Sequence, residues 1–172
     1  MSRARPPVPE HGPSTVIDSL EFARSGATLR RRLALADLPR LADLLQSTEG
    51  FLEVSLVGER DAEGKSWLSL RIDGTPVLRC QRCLEGLPFA LEIRSRLQLI
   101  APEEEWPDDD LADDDVDAID ADRELKVAEL AEDEVLLALP IAPRHEQCQP
   151  PSAAGAGSGA GPFAALAALK KH

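Results

Sequence analysis

Phe51-Leu52-Glu53-Val54-Ser55-Leu56-Val57-Gly58, then Asp61-Ala62-Glu63-Gly64, then Ser66-Trp67-Leu68-Ser69-Leu70-Arg71-Ile72, decides the class of fold. Apolar and polar residues alternate in both outer runs, the period-two pattern of strands that bury one face. The polar, glycine-ended tetrad between them has turn chemistry, so the stretch predicts an antiparallel hairpin. Asp73-Gly74 marks a second tight turn, after which Thr75-Pro76-Val77-Leu78-Arg79 leads to the first cysteine. Residues 87–100 read as one long strand, with Leu87, Phe89, Leu91, Ile93, Leu97 and Leu99 facing one way. Short connections between consecutive strands imply an antiparallel sheet, with curling into a partial barrel left open.

Working outward, Leu38, Leu41, Leu44 and Leu45 recur at helical spacing. With Asp37 as N-cap, Pro39 near the first turn and Gly50 as the stop, they predict a helix. A second helix is expected from about Asp122 to Pro140, its stripe carrying Val127, Leu130, Ala131, Val135 and Leu139. Ile17 to Phe22 is a short segment, extended or helical. The expected class is therefore α+β: an antiparallel sheet covered by two main helices in a single domain, residues 1–149. Residues 101–120 are too charged to pack and read as an acidic loop. Residues 150–162 form a Gly/Ala/Ser/Pro linker, and 163–172 a short C-terminal helix with Phe163, Leu166 and Leu169 along one side. Four prolines in residues 1–13 mark a lead-in segment.

At 172 residues the chain suits one domain, and with four Phe, two Trp and no Tyr its core must be aliphatic. No apolar run approaches the roughly 18 to 20 residues of a membrane span, and the first residues lack the apolar centre of a secretory signal. Three cysteines, an odd number, fit a reducing cytoplasm better than a disulfide framework. A cytoplasmic protein with no membrane partner is the expectation. Net charge is −12, but residues 101–134 hold 17 acids and two bases, so the rest of the chain carries +3. Residues 1–40 hold seven arginines against four acids. An acidic arm and a basic face thus coexist in one chain.

Chemistry concentrates in two pairs, Cys80-Gln81-Arg82-Cys83 and His145-Glu146-Gln147-Cys148, which hold all three cysteines and one of three histidines. Each spacing lets two side chains on one turn reach one metal ion, and thiolate with imidazole is the donor set of a structural zinc. Cys80, Cys83, His145 and Cys148 are therefore the candidate metal ligands, with Zn²⁺ as the candidate cofactor. Arg79, Arg82 and Arg144 stand close in sequence to offset the −1 charge of three thiolates and Zn²⁺. The alternatives are half-buried thiols beside an exposed loop, or a redox dithiol. Arg30, Arg31 and Arg32, with Arg82, are candidate RNA-phosphate contacts, against the alternative of a solvated arginine face. No Gly-rich phosphate loop, nucleophile elbow or H-E-x-x-H occurs, and the carboxylates cluster without a paired histidine. Catalysis and a small-molecule substrate are not expected.

Cys80-Gln81-Arg82-Cys83-Leu84-Glu85, the acidic stretch, then Glu132-Asp133-Glu134-Val135-Leu136-Leu137-Ala138-Leu139-Pro140 and Pro143-x-His145 follow in a specific order. In this order they resemble the YceD-type family of large ribosomal RNA subunit accumulation proteins, and residues 162–170 resemble the end of its proteobacterial members. The resemblance implies a non-enzymatic ribosome-biogenesis factor needed for processing or accumulation of 23S rRNA, without catalytic residues. Its expected partners are 23S rRNA or its precursor, a large-subunit ribosomal protein, or both. Two alternatives stand beside it: an acidic, chaperone-like holder of a basic ribosomal protein with no RNA contact, and a thiol- or metal-dependent enzyme.

Overall fold

The computed structural model describes residues 15–104, 106 and 116–151. In chain order these form β1 (Val16–Ile17), α1 (Ser19–Arg24), β2 (Thr28–Ala34), a 3-10 turn (Leu35–Asp37), β3 (Leu45–Ser47), β4 (Phe51–Arg60), β5 (Ser66–Gly74), β6 (Val77–Arg79), β7 (Gly86–Pro88), β8 (Leu91–Ile100), β9 (Val116–Asp120), β10 (Leu125–Lys126) and α2 (Val127–Ala138). The expected C-terminal helix and most of the expected linker lie outside the described residues, as do the proline-rich lead-in and half of the acidic block.

Three sheets share one aliphatic core. The largest runs β2-β4-β5-β8-β9, flanked by a three-stranded β3-β6-β7 and a two-stranded β1-β10. The hairpin expected across residues 51–72 is β4–β5, paired from Glu53↔Asp73 to Arg60↔Ser66. Its turn is fixed by Asp61, which accepts from the Lys65 N–H at 2.8 Å and from the Trp67 indole at 2.8 Å. Leu52, Leu56, Leu68, Leu70, Ile72 and Leu97 project to one face and are buried there. Such a side chain contributes about 1.5–3 kcal/mol when fully buried. α1 packs on this inner face over Gly58, where a Cβ would lie 2.3 Å from the Phe22 carbonyl oxygen, so only glycine fits. α2 lies on the same side, with its Glu134 accepting from the Ser95 hydroxyl of β8.

The expected class is corrected in several places. The described residues are mostly β, in three sheets with two helices, one of six residues and one of twelve; there is no pair of main covering helices and no closed barrel. The helix expected after Asp37 is a chain of tight turns, with Leu38 bonded to the Leu35 carbonyl, Leu41 to Leu38 and Leu44 to Leu41. Pro39 has no N–H, and those of Arg40 and Leu41 point at the buried Glu132 carboxylate, at 2.7 and 3.2 Å, instead of along a helix. Leu38, Leu41 and Leu45 still reach the core, because i→i+3 turns line up nearly the same residues as an α-helix.

The long strand expected over 87–100 divides at Phe89–Ala90. Its first part pairs with β6 and its second with β5, so the chain changes sheet between them. The acidic segment 101–120 ends in a strand: β9 lies parallel to β8, with Leu99↔Ile119 facing the core. α2 begins at Val127 and not near Asp122, because Leu125 and Lys126 pair with Ile17 and Val16. The segment around residue 17 divides into β1 and α1, the latter capped by Asp18 accepting from the Glu21 N–H at 3.0 Å.

Candidate metal centre

The β6–β7 hairpin positions the first cysteine pair. Its last ladder pair is Arg79↔Gly86, and residues 80–85 form the loop at its tip. The Cys80 N–H donates to the Glu85 carbonyl at 2.9 Å, and the Leu84 N–H to the Cys80 carbonyl at 2.9 Å. Leu84 has φ 67°, the left-handed conformation that turns the chain back after the second cysteine. Gly86 must be small, because a Cβ there would lie 2.9 Å from Val77 Cγ1.

The second pair arrives on the segment after α2. Leu139 closes that helix by donating to the Val135 carbonyl, and Pro140 follows it. The Pro143 carbonyl accepts from the Gln81 N–H at 2.8 Å, and this stitches the segment to the loop. Arg82 completes the join: its Nη2 donates to the His145 carbonyl at 2.8 Å, and its Nε to Cys148 Sγ at 3.0 Å.

One donor atom from each of Cys80, Cys83, His145 and Cys148 falls in a group whose members all lie within 4.8 Å of one another. Cys80 Sγ is 3.8 Å from Cys148 Sγ, and Cys83 Sγ is 3.4 Å from His145 Nδ1. Zinc bonds of about 2.3 Å to sulfur and 2.0 Å to nitrogen in a tetrahedron imply S···S edges of about 3.8 Å and S···N edges of about 3.5 Å. The two observed contacts match those edges. His145 Nε2 donates to the Gly86 carbonyl at 3.1 Å, which leaves the Nδ1 lone pair facing the sulfurs. A backbone carbonyl that fixes the tautomer of a ligating histidine is the usual outer-shell partner of such a site.

Electrostatics favour an anionic Cys80. Cys80 is fully buried, and burial pushes its thiol up, but the N–H groups of Cys83, Arg82 and His145, with the Cys83 thiol, more than offset this and bring it down to about 5. At Cys83 the Glu85 N–H pulls down, but burial and the sulfurs of Cys80 and Cys148 push the thiol up. Cys148 in turn raises Arg82, consistent with a guanidinium held on a sulfur. The cysteines form no disulfide. The residues present fit a tetrahedral ion of zinc type.

The four candidate RNA-contacting arginines do not form one group. Arg30 and Arg32 project from the outer face of β2, opposite Ser55 and Glu53, and Arg32 stacks on the Phe51 ring at 3.2 Å. Arg31 takes the other phase of the strand, opposite Val54, and donates to Thr15 Oγ1 at 3.1 Å. Arg82 is committed to the sulfur cluster. Sequence reasoning missed Arg71, Arg94 and Arg96 on the same outer face as Arg30. The signal was there, since each occupies the polar phase of an alternating strand. It also missed the partners of the Glu132-Asp133-Glu134 run: Glu132 binds Arg40 Nε at 2.8 Å, Asp133 pairs with Arg40, and Glu134 binds Ser95.

Fold and site together define a small β-rich protein with a closed sulfur–nitrogen donor cluster where a hairpin tip meets the end of a helix. Residues 68–170, more than half of the chain, match the family described as large ribosomal RNA subunit accumulation protein YceD, and the chain belongs to that family. The family name connects it with accumulation of the large-subunit ribosomal RNA. No curated protein and no solved structure matches the chain. Among the described residues, no helix is long and apolar enough to cross a membrane.

Proposed function

We propose that the protein is a non-catalytic ribosome-biogenesis factor that supports accumulation of 23S rRNA, and that a structural zinc ion closes its clasp. The observation that carries the reading is the convergence of Cys80, Cys83, His145 and Cys148, two pairs separated by 61 residues, inside the region matched to the family. Four protein donors fill a tetrahedral zinc and leave no position for a reacting water, so the ion acts on the fold and not on a substrate. Three thiolates and Zn²⁺ sum to −1, which the Arg82 guanidinium offsets. The clasp ties the chain after α2 to the β6–β7 loop. Zinc–thiolate ligation needs reduced cysteines, which the cytoplasm maintains, and the partner is large-subunit RNA or its precursor.

Two measurements test this. In a sucrose gradient of cell extract the protein is expected to co-migrate with large-subunit precursors; finding it only at the top, at low and at moderate salt, refutes the role. Protein purified without chelator is expected to carry one zinc per chain, and a Cys83→Ser variant much less. Equal zinc in both samples, or none in either, removes the clasp.

A further inference from the structure

The large sheet has two unlike faces. The inner one carries the core; on the outer one Trp67, Gln98 and Ile100 are buried at one end, while Arg30, Arg71, Arg94 and Arg96 are exposed. Register places its side chains in rows across the strands. Arg30 of β2 stands opposite Ser55 of β4, Ser55 opposite Arg71 of β5, and Arg71 opposite Arg94 of β8. This row of three arginines and a serine spans three strand spacings, roughly 14 Å. Arg96 follows one pleat along β8, above the Trp67 ring at 4.4 Å. Phe51 lies at the β4 end, 40% exposed, with Arg32 stacked on it.

Like charges directly opposite on neighbouring strands destabilise a sheet, and Arg71 with Arg94 is such a pair. The adjoining row compensates: Asp73 holds Arg71 through two bonds of 2.8 and 3.1 Å, and Glu92 lies 2.6 Å from Arg94 and 3.6 Å from Arg71. These carboxylates orient the guanidiniums without covering them, since Arg71 and Arg94 keep 51% and 68% of their side-chain surface exposed. Outward positions of the five strands hold five arginines (30, 32, 71, 94, 96) and five acids (53, 59, 73, 92, 120), in a chain of net charge −12. Next to the row is a depression of about 330 Å³, lined by Arg30, Glu53, Ser55, Arg71 and Asp73 among others.

We infer that this face binds a single-stranded segment of RNA, its phosphates along Arg30, Arg71, Arg94 and Arg96 and one base stacked on Phe51. The inference rests on the large-subunit role proposed above. Guanidiniums held in forks suit phosphate, and an exposed aromatic ring on an open sheet offers the stacking platform that single strands use.

The test uses the full-length, zinc-replete chain and a fluorescein-labelled U12 RNA, with affinity measured by anisotropy between about 50 and 200 mM KCl. Removing three phosphate contacts in Arg30→Gln/Arg71→Gln/Arg94→Gln is expected to weaken binding about tenfold or more at the lower salt and to make the salt slope shallower by about 2. Each single variant should remove about 0.7 of that slope, so the inference stays testable if the triple variant folds poorly. Phe51→Ala should weaken binding at least about fivefold with the slope unchanged, and Arg24→Gln, on α1, should change neither. A wild-type chain that does not bind U12 at the lower salt overturns the inference, as does a triple variant with wild-type affinity and slope. Loss of U12 binding in the variants beside a wild-type chain absent from large-subunit precursors would sink the biological role and leave the face standing. Co-migration with precursors beside wild-type U12 binding by the variants would do the reverse.

Discussion

Glu132 is the most constrained charged residue described: 2% of it is exposed, and it accepts from the Arg40 N–H, the Leu41 N–H and the Arg40 guanidinium. The carboxylate takes up the Arg40 amide, which the turns after Asp37 leave unpaired, and shares the Leu41 amide with the Leu38 carbonyl. Removing it leaves the Arg40 amide without an acceptor, while Leu41 keeps the Leu38 carbonyl and the Arg40 guanidinium keeps Asp133 and the Glu129 carbonyl. Glu132→Ala is therefore expected to destabilise the fold by about 1–3 kcal/mol, the usual cost of leaving a buried donor unsatisfied. Glu132→Gln, which keeps an acceptor oxygen, should lose less. Urea midpoints of the three proteins check this, and a Glu132→Ala midpoint equal to wild type would show that the carboxylate is dispensable. The same residue shows where reading from sequence stops. The Glu132-Asp133-Glu134 run is conspicuous as a motif, but its partners Arg40 and Ser95 lie 92 and 39 positions away. No local pattern connects them.

At the scale of elements, legibility followed sequence separation. The β4–β5 hairpin was readable because its alternation and its turn are both local. So were the two halves of the clasp, since each places two donors on one turn. Their meeting depends on how α2 docks, which periodicity does not encode. β2 escaped notice because Arg30-Arg31-Arg32 hides the alternation that Leu29 and Leu33 keep against Leu56 and Leu52. The turns around Leu38 carry a helical pattern because three-residue spacing serves both. Removal of the metal tests the clasp as an element. With zinc stripped by a chelator under reducing conditions, the Gln81 amide, bonded to the Pro143 carbonyl, is expected to exchange with deuterium at least about tenfold faster. Amides of β4 and β5 should change little, because their ladder and core do not depend on the site. Equal acceleration everywhere would mean that the ion holds the whole fold; no acceleration at Gln81 would mean that the protein contacts suffice without it.

For the molecule as a whole, the period-two pattern puts the core on one face of the large sheet and the arginine row on the other. Leu70 and Arg71 are adjacent in β5 and point to opposite faces, one 2% exposed in the core and the other in the arginine row. Leu70→Ala removes buried methyl groups and is expected to cost about 2–5 kcal/mol, leaving the RNA affinity of the folded fraction unchanged. The Arg30→Gln/Arg71→Gln/Arg94→Gln variant loses exposed ion pairs, each contributing about 0–1 kcal/mol, and gains some relief from like-charge repulsion. Its urea midpoint should therefore stay near wild type while its affinity for RNA falls. A variant that lost both together would show that the row is needed to keep the sheet paired. The cost of setting Arg71 opposite Arg94 would then belong to folding, and the outer face would need no ligand to account for it.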